Sequence, residues 1–195
     1  MIEVEIKTHI KDPKFIQKQL KNMNAQYICS LIHEDTYYNM PEGLRDFKKT
    51  DEALRIRNST KFDKFNKEIP QKTGIYLAYK GKKLDNDTKT RREIETKIQN
   101  GINLTEIFEL LGFREVLTVK KERELYKLAY ESYKIEILLD YIPFLDQFFL
   151  EVEFIAKSEE NIEVIKDLLF EFLGKLGIER KNSIRKSYLE LITES

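Results

Sequence analysis

Cysteine occurs once in the 195 residues and histidine twice, and 34 basic side chains are balanced by 34 acidic ones. The single Cys29 excludes an internal disulfide and fits a reducing compartment. It lies in the apolar run Tyr27-Ile28-Cys29-Ser30-Leu31-Ile32, where it reads as a buried structural thiol. His9 and His33 are too few and too far apart for a zinc site. A net charge of zero gives no footprint for nucleic acid or an anionic membrane. No apolar run is long enough to span a bilayer, and strand pattern begins at Ile2 without a signal-like segment. The expectations are therefore no nucleic acid, no membrane and a cytoplasmic location. Internal repeats and low-complexity linkers are missing too, so residues 1–195 read as one domain with a real core.

What the chain does have is charge placed two residues apart on strand-like sequence. Glu3/Glu5/Lys7, Arg55/Arg57, Glu93/Glu95, Lys121/Arg123 and Glu151/Glu153 each share one strand face, because residues i and i+2 point the same way. Val4/Ile6, Ile56, Ile94, Glu122 and Val152 then point to the other. A single such strand reads as a solvated face. Several, carrying both acids and bases, predict a sheet curled around a charged interior.

Strand patterns run over 2–10, 26–39, 53–59, 74–80, 90–98, 113–121, 123–131, 133–140 and 147–155. Short connections predict a largely antiparallel sheet. One helix starts at the cap Asp12 with Pro13 in its first turn and an apolar stripe of Phe15/Ile16, Leu20 and Met23. A second covers 104–111, capped by Asn103 and stopped by Gly112. A third is capped by Ser158, with Glu159/Glu160 at its positive end, and buries Ile162, Ile165, Leu168/Leu169, Phe172/Leu173 and Leu176 on one face. The tail over 181–193 reads as a short helix. If the charged faces point inward, the apolar faces point outward, and these helices cover them. Loops 40–52 and 60–73 stand apart from this pattern. Tyr37, Tyr38, Tyr76 and Tyr79 read as packing residues rather than base-stacking platforms.

Paired carboxylates on one strand face, roughly 6–7 Å apart at Cβ, can converge on a hard cation. Glu3/Glu5 and Glu151/Glu153 could thus supply oxygen ligands to Mg²⁺ or Mn²⁺, with Asp140 a fifth candidate. Lys7, Arg55, Arg57, Lys80, Lys121 and Arg123 could hold phosphate groups. A nucleic-acid-binding sheet is disfavoured, since acids on the same faces would repel a phosphate backbone.

With those residues in view the chain resembles the CYTH family, the triphosphate tunnel metalloenzymes. The resemblance rests on Glu3-x-Glu5-x-Lys7, EDTYYN at 34–39, RDFKKTDEALRIR at 45–57, LAYKG at 77–81 and TKTRREIE at 88–95. It continues through VKKER at 119–123, the LD at 139–140, EVE at 151–153 and KSYLELI at 186–192. It implies an α+β fold, an antiparallel barrel of about eight strands forming a charged tunnel with helices outside. It assigns Glu3, Glu5, Asp140, Glu151 and Glu153 to metal binding, and Lys7, Arg55, Arg57, Lys80, Lys121, Arg123 and Lys186 to the triphosphate. Glu93 and Glu95 match a further acidic pair that supports the metal or positions water, so Glu5, Glu93, Glu95 and Glu153 form the catalytic set. Asp146 stands where the family pattern has a glycine, in a loop one residue longer than usual. Segment 60–73 reads either as a lid or as a surface insertion.

Three functions follow. The leading one is a Mg²⁺- or Mn²⁺-dependent triphosphatase acting on inorganic triphosphate, ATP or thiamine triphosphate, which needs the tunnel, a metal pair and a water. The alternative is a class IV adenylyl cyclase, converting ATP to cyclic AMP and pyrophosphate. The third, a non-catalytic polyphosphate-binding module, leaves so many carboxylates without a purpose. A homodimer is compatible with all three.

Overall fold

The computed structural model describes residues 2–156 and 161–194. The expected Ser158 cap and Glu159/Glu160 lie outside them. Eight strands, β1 (Ile2–Ile10), β2 (Gln26–Asn39), β3 (Ala53–Phe62), β4 (Lys72–Lys83), β5 (Arg91–Ile98), β6 (Arg114–Tyr130), β7 (Tyr133–Ile142) and β8 (Gln147–Ala156), close into a barrel. Around it the order is β1-β5-β4-β3-β2-β6-β7-β8, every neighbour antiparallel. The helices are α1 (Pro13–Asn22), α2 (Gly101–Leu110), α3 (Ile162–Lys175) and α4 (Tyr188–Thr193).

The predicted inversion is present. Val4 and Ile6 of β1, Leu150 and Val152 of β8 and Ile135, Ile137 and Leu139 of β7 turn outward beneath the helices. Ile16 and Leu20 of α1 and Ile165, Leu169, Phe172 and Leu173 of α3 cover them. Each such side chain taken fully out of water contributes roughly 1.5–3 kcal/mol. Ile56 is covered by Phe108 of α2. Ile94 and Glu122 stay exposed.

Two local expectations are corrected. Segments 113–121 and 123–131 form one 17-residue strand, β6. Its buried positions switch from Val119, Lys121 and Arg123 to Tyr126, Leu128 and Tyr130. The first half buries its inner face toward the tunnel, and the second buries its outer face in the cluster under α1 and α3. A register irregularity between Tyr27 and Cys29 on the paired β2 accompanies the switch. The changed phase mimics a strand break. The cap of α2 is Asn100, which accepts from the Asn103 amide at 3.0 Å, so the helix begins three residues earlier than expected. Its first residue, Gly101, leaves room for Ile75, which would lie 3.0 Å from an added Cβ.

Asp12 caps α1 by accepting from Phe15 N at 2.9 Å, although Phe15 itself stays 47% exposed. Gly112 follows α2 at φ +80°, the left-handed stop expected of it. Asp146 also sits at positive φ, +49°, which explains how it replaces a glycine. The tail divides into a turn of 3₁₀ helix, Arg180–Asn182, and α4, which Ser187 and Glu190 begin with a reciprocal capping box. No helix among the described residues is long and apolar enough to cross a membrane.

Candidate active site

Strand order divides the inner wall by charge. The neighbouring strands β8, β1 and β5 carry Glu151 and Glu153, Glu3 and Glu5, and Glu93 and Glu95. β4, which pairs with β5, then β3 and, beyond β2, β6 carry Lys80, Arg55 and Arg57, and Lys121 and Arg123. All eleven line one cavity of about 610 Å³. Register sets this arrangement: Glu5 stands opposite Glu153, Lys7 opposite Glu151, and Lys80 opposite Glu93.

On the acidic wall Glu3, Glu5 and Glu153 converge, one oxygen from each lying within 4.8 Å of the others. Burial, and then the neighbouring Glu151 charge, raise the Glu5 pKa against the pull of Lys89. Burial, and then Glu3, push Glu153 well up. These carboxylates face one another with too little positive charge nearby. Three oxygen donors in that condition fit a hard divalent cation, which would lower both pKa values and offset the repulsion.

The remaining acids are already engaged. Burial opposes the charge on Glu151, but Lys89 at 2.9 Å and Arg123 overcome it and hold its pKa well below the usual range. Asp140 is fully buried and takes a two-pronged pair from Arg123, Nε and Nη2 each at 2.6 Å, plus the Tyr188 hydroxyl at 2.9 Å. The structure thus places Asp140 behind the cavity wall, outside the group of three. Glu93 lies 2.7 Å from Lys80 and 3.6 Å from Arg55; although burial opposes it, Lys80 leads the interactions that bring its pKa down to about 2. Glu95 sits 3.2 Å from Arg55 and is partly exposed.

On the basic wall the Arg57 fork closes on Asp35, Nε–Oδ1 2.6 Å and Nη2–Oδ2 2.7 Å, and Arg55 approaches the same carboxylate at 3.5 Å. Asp35 thus occupies one edge of the Arg57 guanidinium. Burial, with Arg123 and Arg57 close by, lowers the Lys121 pKa to about 7. Burial, then the Lys89 charge, lower that of Lys7. Its Nζ donates to the Lys186 carbonyl and stands 4.1 Å over the Tyr188 ring. The Lys186 ammonium is not gathered with the others: its side chain is exposed and pairs with Glu194 at 2.6 Å.

Three participants were not singled out from the sequence. Asp35 follows from the same alternation that found its neighbours, since His33, Asp35 and Tyr37 share a face. Tyr188 lies beneath three lysines, Lys7, Lys89 and Lys121, and lines the cavity. Lys89 is in phase with Arg91, Glu93 and Glu95, but it precedes β5 and the strand pattern that starts at residue 90. Loop 40–52 supplies Asp46, Phe47, Lys48, Asp51 and Glu52 to the mouth. Segment 60–73 does not line the cavity; Phe65 packs edge-on to Tyr27, and Lys64 pairs with Glu124.

The CYTH domain family description matches residues 1–188. The candidate adenylate cyclase MJ0240 of Methanocaldococcus jannaschii is 40% identical over 192 residues, 98% of this chain and 98% of that protein. The solved PH1819 protein of Pyrococcus horikoshii superposes with a TM-score of 0.83 at 38% identity, covering 98% of both chains. HpAC1 from Hippeastrum, a candidate adenylyl cyclase described as having a dominant triphosphatase activity, has a TM-score of 0.62. At 17% identity, over 98% of this chain and 95% of that one, its likeness is one of fold. Family match, identity and barrel agree with the two-walled tunnel: the chain belongs to the CYTH family.

Proposed function

We propose that the protein is a divalent-cation-dependent triphosphatase, and the observation that carries this reading is the division of the tunnel into an acidic and a basic wall. A polyphosphate chain binds along Lys80, Arg55, Arg57, Lys121 and Arg123, which offset its charge, Lys121 taking up a proton as the anion binds. Glu3, Glu5 and Glu153 hold the cation, Mg²⁺ or Mn²⁺. When bound, that ion supplies Lewis-acid polarisation of phosphate oxygens and activation of water. Lys80 and Arg55 keep Glu93 ionised and oriented. Among the described residues Glu153 enters no ion pair, so the oxygen that it does not turn to the cation would be left to accept a proton from water entering between the walls. Catalysis is then positioning plus electrostatic stabilisation.

Phe47, Val116, Ile155 and Leu189 also line the cavity, and inorganic triphosphate has no apolar part to use them. They favour a triphosphate with an organic group, such as ATP or thiamine triphosphate. They also support the second reading, an adenylyl cyclase, toward which the name of the Methanocaldococcus relative points. Phosphorus NMR of products formed from triphosphate, ATP and thiamine triphosphate with Mg²⁺ or Mn²⁺ separates the two. Orthophosphate identifies a hydrolase; pyrophosphate with a cyclic nucleotide identifies the cyclase, and no turnover of any of the three sinks both readings.

Two further results are expected. Like charges lining each wall repel in the empty tunnel, so the melting temperature should rise more with triphosphate and cation together than with either alone. Ligand at 100 times its Kd contributes about 2.7 kcal/mol by linkage. An unchanged melting temperature at saturation would mean that the charged faces bind nothing. Arg57→Ala should weaken binding of a non-hydrolysable triphosphate analogue in calorimetric titration, and Arg57→Lys should recover only part of the loss, because lysine has no fork to lock on Asp35. Parent-like binding by Arg57→Ala would show that Arg57 does not face the ligand.

A further inference from the structure

The β4–β5 connection carries a lysine that is neither at the surface nor on the basic wall. Lys89 is 9% exposed, and its Nζ lies between two acids of the opposite wall, bonding Glu5 and reaching Glu151 at 2.9 Å. Its amide also donates to the Glu5 carbonyl at 2.9 Å, extending the short β1–β5 seam, which among the described residues pairs Ile2 with Arg92 and Glu3 with Arg91. The chain around it is pinned. Asp85 pairs with Lys166 of α3 at 3.1 Å, Ser183 Oγ donates to the Asp87 carbonyl at 2.8 Å, and Arg185 donates to the Asp85 carbonyl at 2.9 Å. The Thr88 and Thr90 hydroxyls are bonded to each other at 2.7 Å, and both residues are fully buried. Lys89 is held in place by packing on both sides, not swung in by chance.

We propose that Lys89 is a built-in cation that fills a second position on the acidic wall, so that the triphosphate-free tunnel takes one divalent ion rather than two. The inference rests on the reading that Glu3, Glu5 and Glu153 hold a cation. Six carboxylates, Glu3, Glu5, Glu93, Glu95, Glu151 and Glu153, line three adjacent strands, yet only three of them converge on a common point. Glu151 is the one that Lys89 and Arg123 draw aside. A monovalent ammonium joining Glu5 to Glu151 leaves Glu5 one oxygen for the ion shared with Glu3 and Glu153. It removes Glu151 as a ligand and excludes a second ion by charge and by volume. Lys89 is also badly placed to grip phosphate, since turning toward the basic wall would strip two buried carboxylates of their partner. It is a positioning residue: it selects which acids are left for the ion.

The count of bound ions tests this, with no dependence on turnover. Mn²⁺ is titrated into triphosphate-free protein while the spectrum of free Mn²⁺ is followed by electron paramagnetic resonance, and folding is checked by circular dichroism. The parent and Lys89→Arg should each bind one ion, and Lys89→Met should bind two. Lys89→Met/Glu151→Gln, which loses a cation and an anion together and spares the fold an unpaired charge, should return to one. Two ions in the parent, one in a folded Lys89→Met, or two in the double variant would overturn the proposal. One ion in both the parent and Lys89→Met leaves the three-carboxylate reading intact and fails only the role of Lys89. No binding by the parent fails that reading itself, and the inference with it.

Discussion

Glu153→Gln and Glu5→Gln are each expected to lower turnover at least ~100-fold, the scale on which removing one well-placed electrostatic group acts. Both substitutions keep the shape of the side chain and remove its charge. Glu5 and Glu153 face each other across the β1–β8 pair, and their oxygens close on that of Glu3. Because burial and neighbouring acids already raise both pKa values, and because Lys89 keeps Glu151 as its partner at 2.9 Å when Glu5 is lost, neither glutamine should destabilise the ligand-free fold; loss of one crowding charge relieves repulsion. The distinctive outcome is therefore a protein that melts no lower than the parent and barely turns over. Steady-state rates at saturating Mg²⁺, read beside the melting temperatures, decide it. Near-parent activity in both variants would remove these acids from the mechanism.

The barrel was legible because period-2 alternation survives any tertiary arrangement. Once Glu3/Glu5, Arg55/Arg57 and Glu151/Glu153 share faces, the apolar faces must turn outward under amphipathic helices. What that rule cannot see is a change of which face is buried within one strand. In β6 the tunnel protects Lys121 and Arg123, and the helices protect Tyr126 and Leu128, so one continuous ladder looks like two strands. The site was legible as far as strand periodicity reaches. Asp35 obeys the rule, but Glu34 beside it hides it among ordinary surface charge. Lys89 keeps the parity of Glu93 and Glu95 but lies ahead of the strand pattern, in a segment that Lys166, Ser183 and Arg185 pin from distant parts of the chain. Asp140 and Lys186 mark the opposite limit. Matching a motif position does not say whether the side chain reaches the cavity; Asp140 is sealed behind Arg123, and Lys186 offers its carbonyl inward while its ammonium points out.

Arg123→Met should be the most destabilising single change in the tunnel, costing about 3–5 kcal/mol, because breaking a buried pair strands a charge. Arg123 holds Asp140 through two 2.6 Å bonds and reaches Glu151 as well. Without it, fully buried Asp140 keeps only the Tyr188 hydroxyl at 2.9 Å and Lys121 at 4.0 Å. For a chain of this size that loss corresponds to a melting temperature lower by roughly 6–20 °C. Adding Asp140→Asn should restore much of it, since an amide can still accept from Tyr188 and carries no charge to bury. The acid limb of the stability curve should change in step. Glu151 has a folded pKa below its ordinary 4.5, so its contribution is present above that pH and drains away as pH falls through the lower folded value. Arg123 is one of the charges that keeps it low, so Arg123→Met should narrow that window and make the acid limb shallower. Urea unfolding of the parent, both single variants and the double variant, at neutral pH and at pH 4, measures the coupling directly. Additive effects of Arg123→Met and Asp140→Asn would mean that the two residues do not depend on one another, and that Arg123 is free to serve the ligand alone.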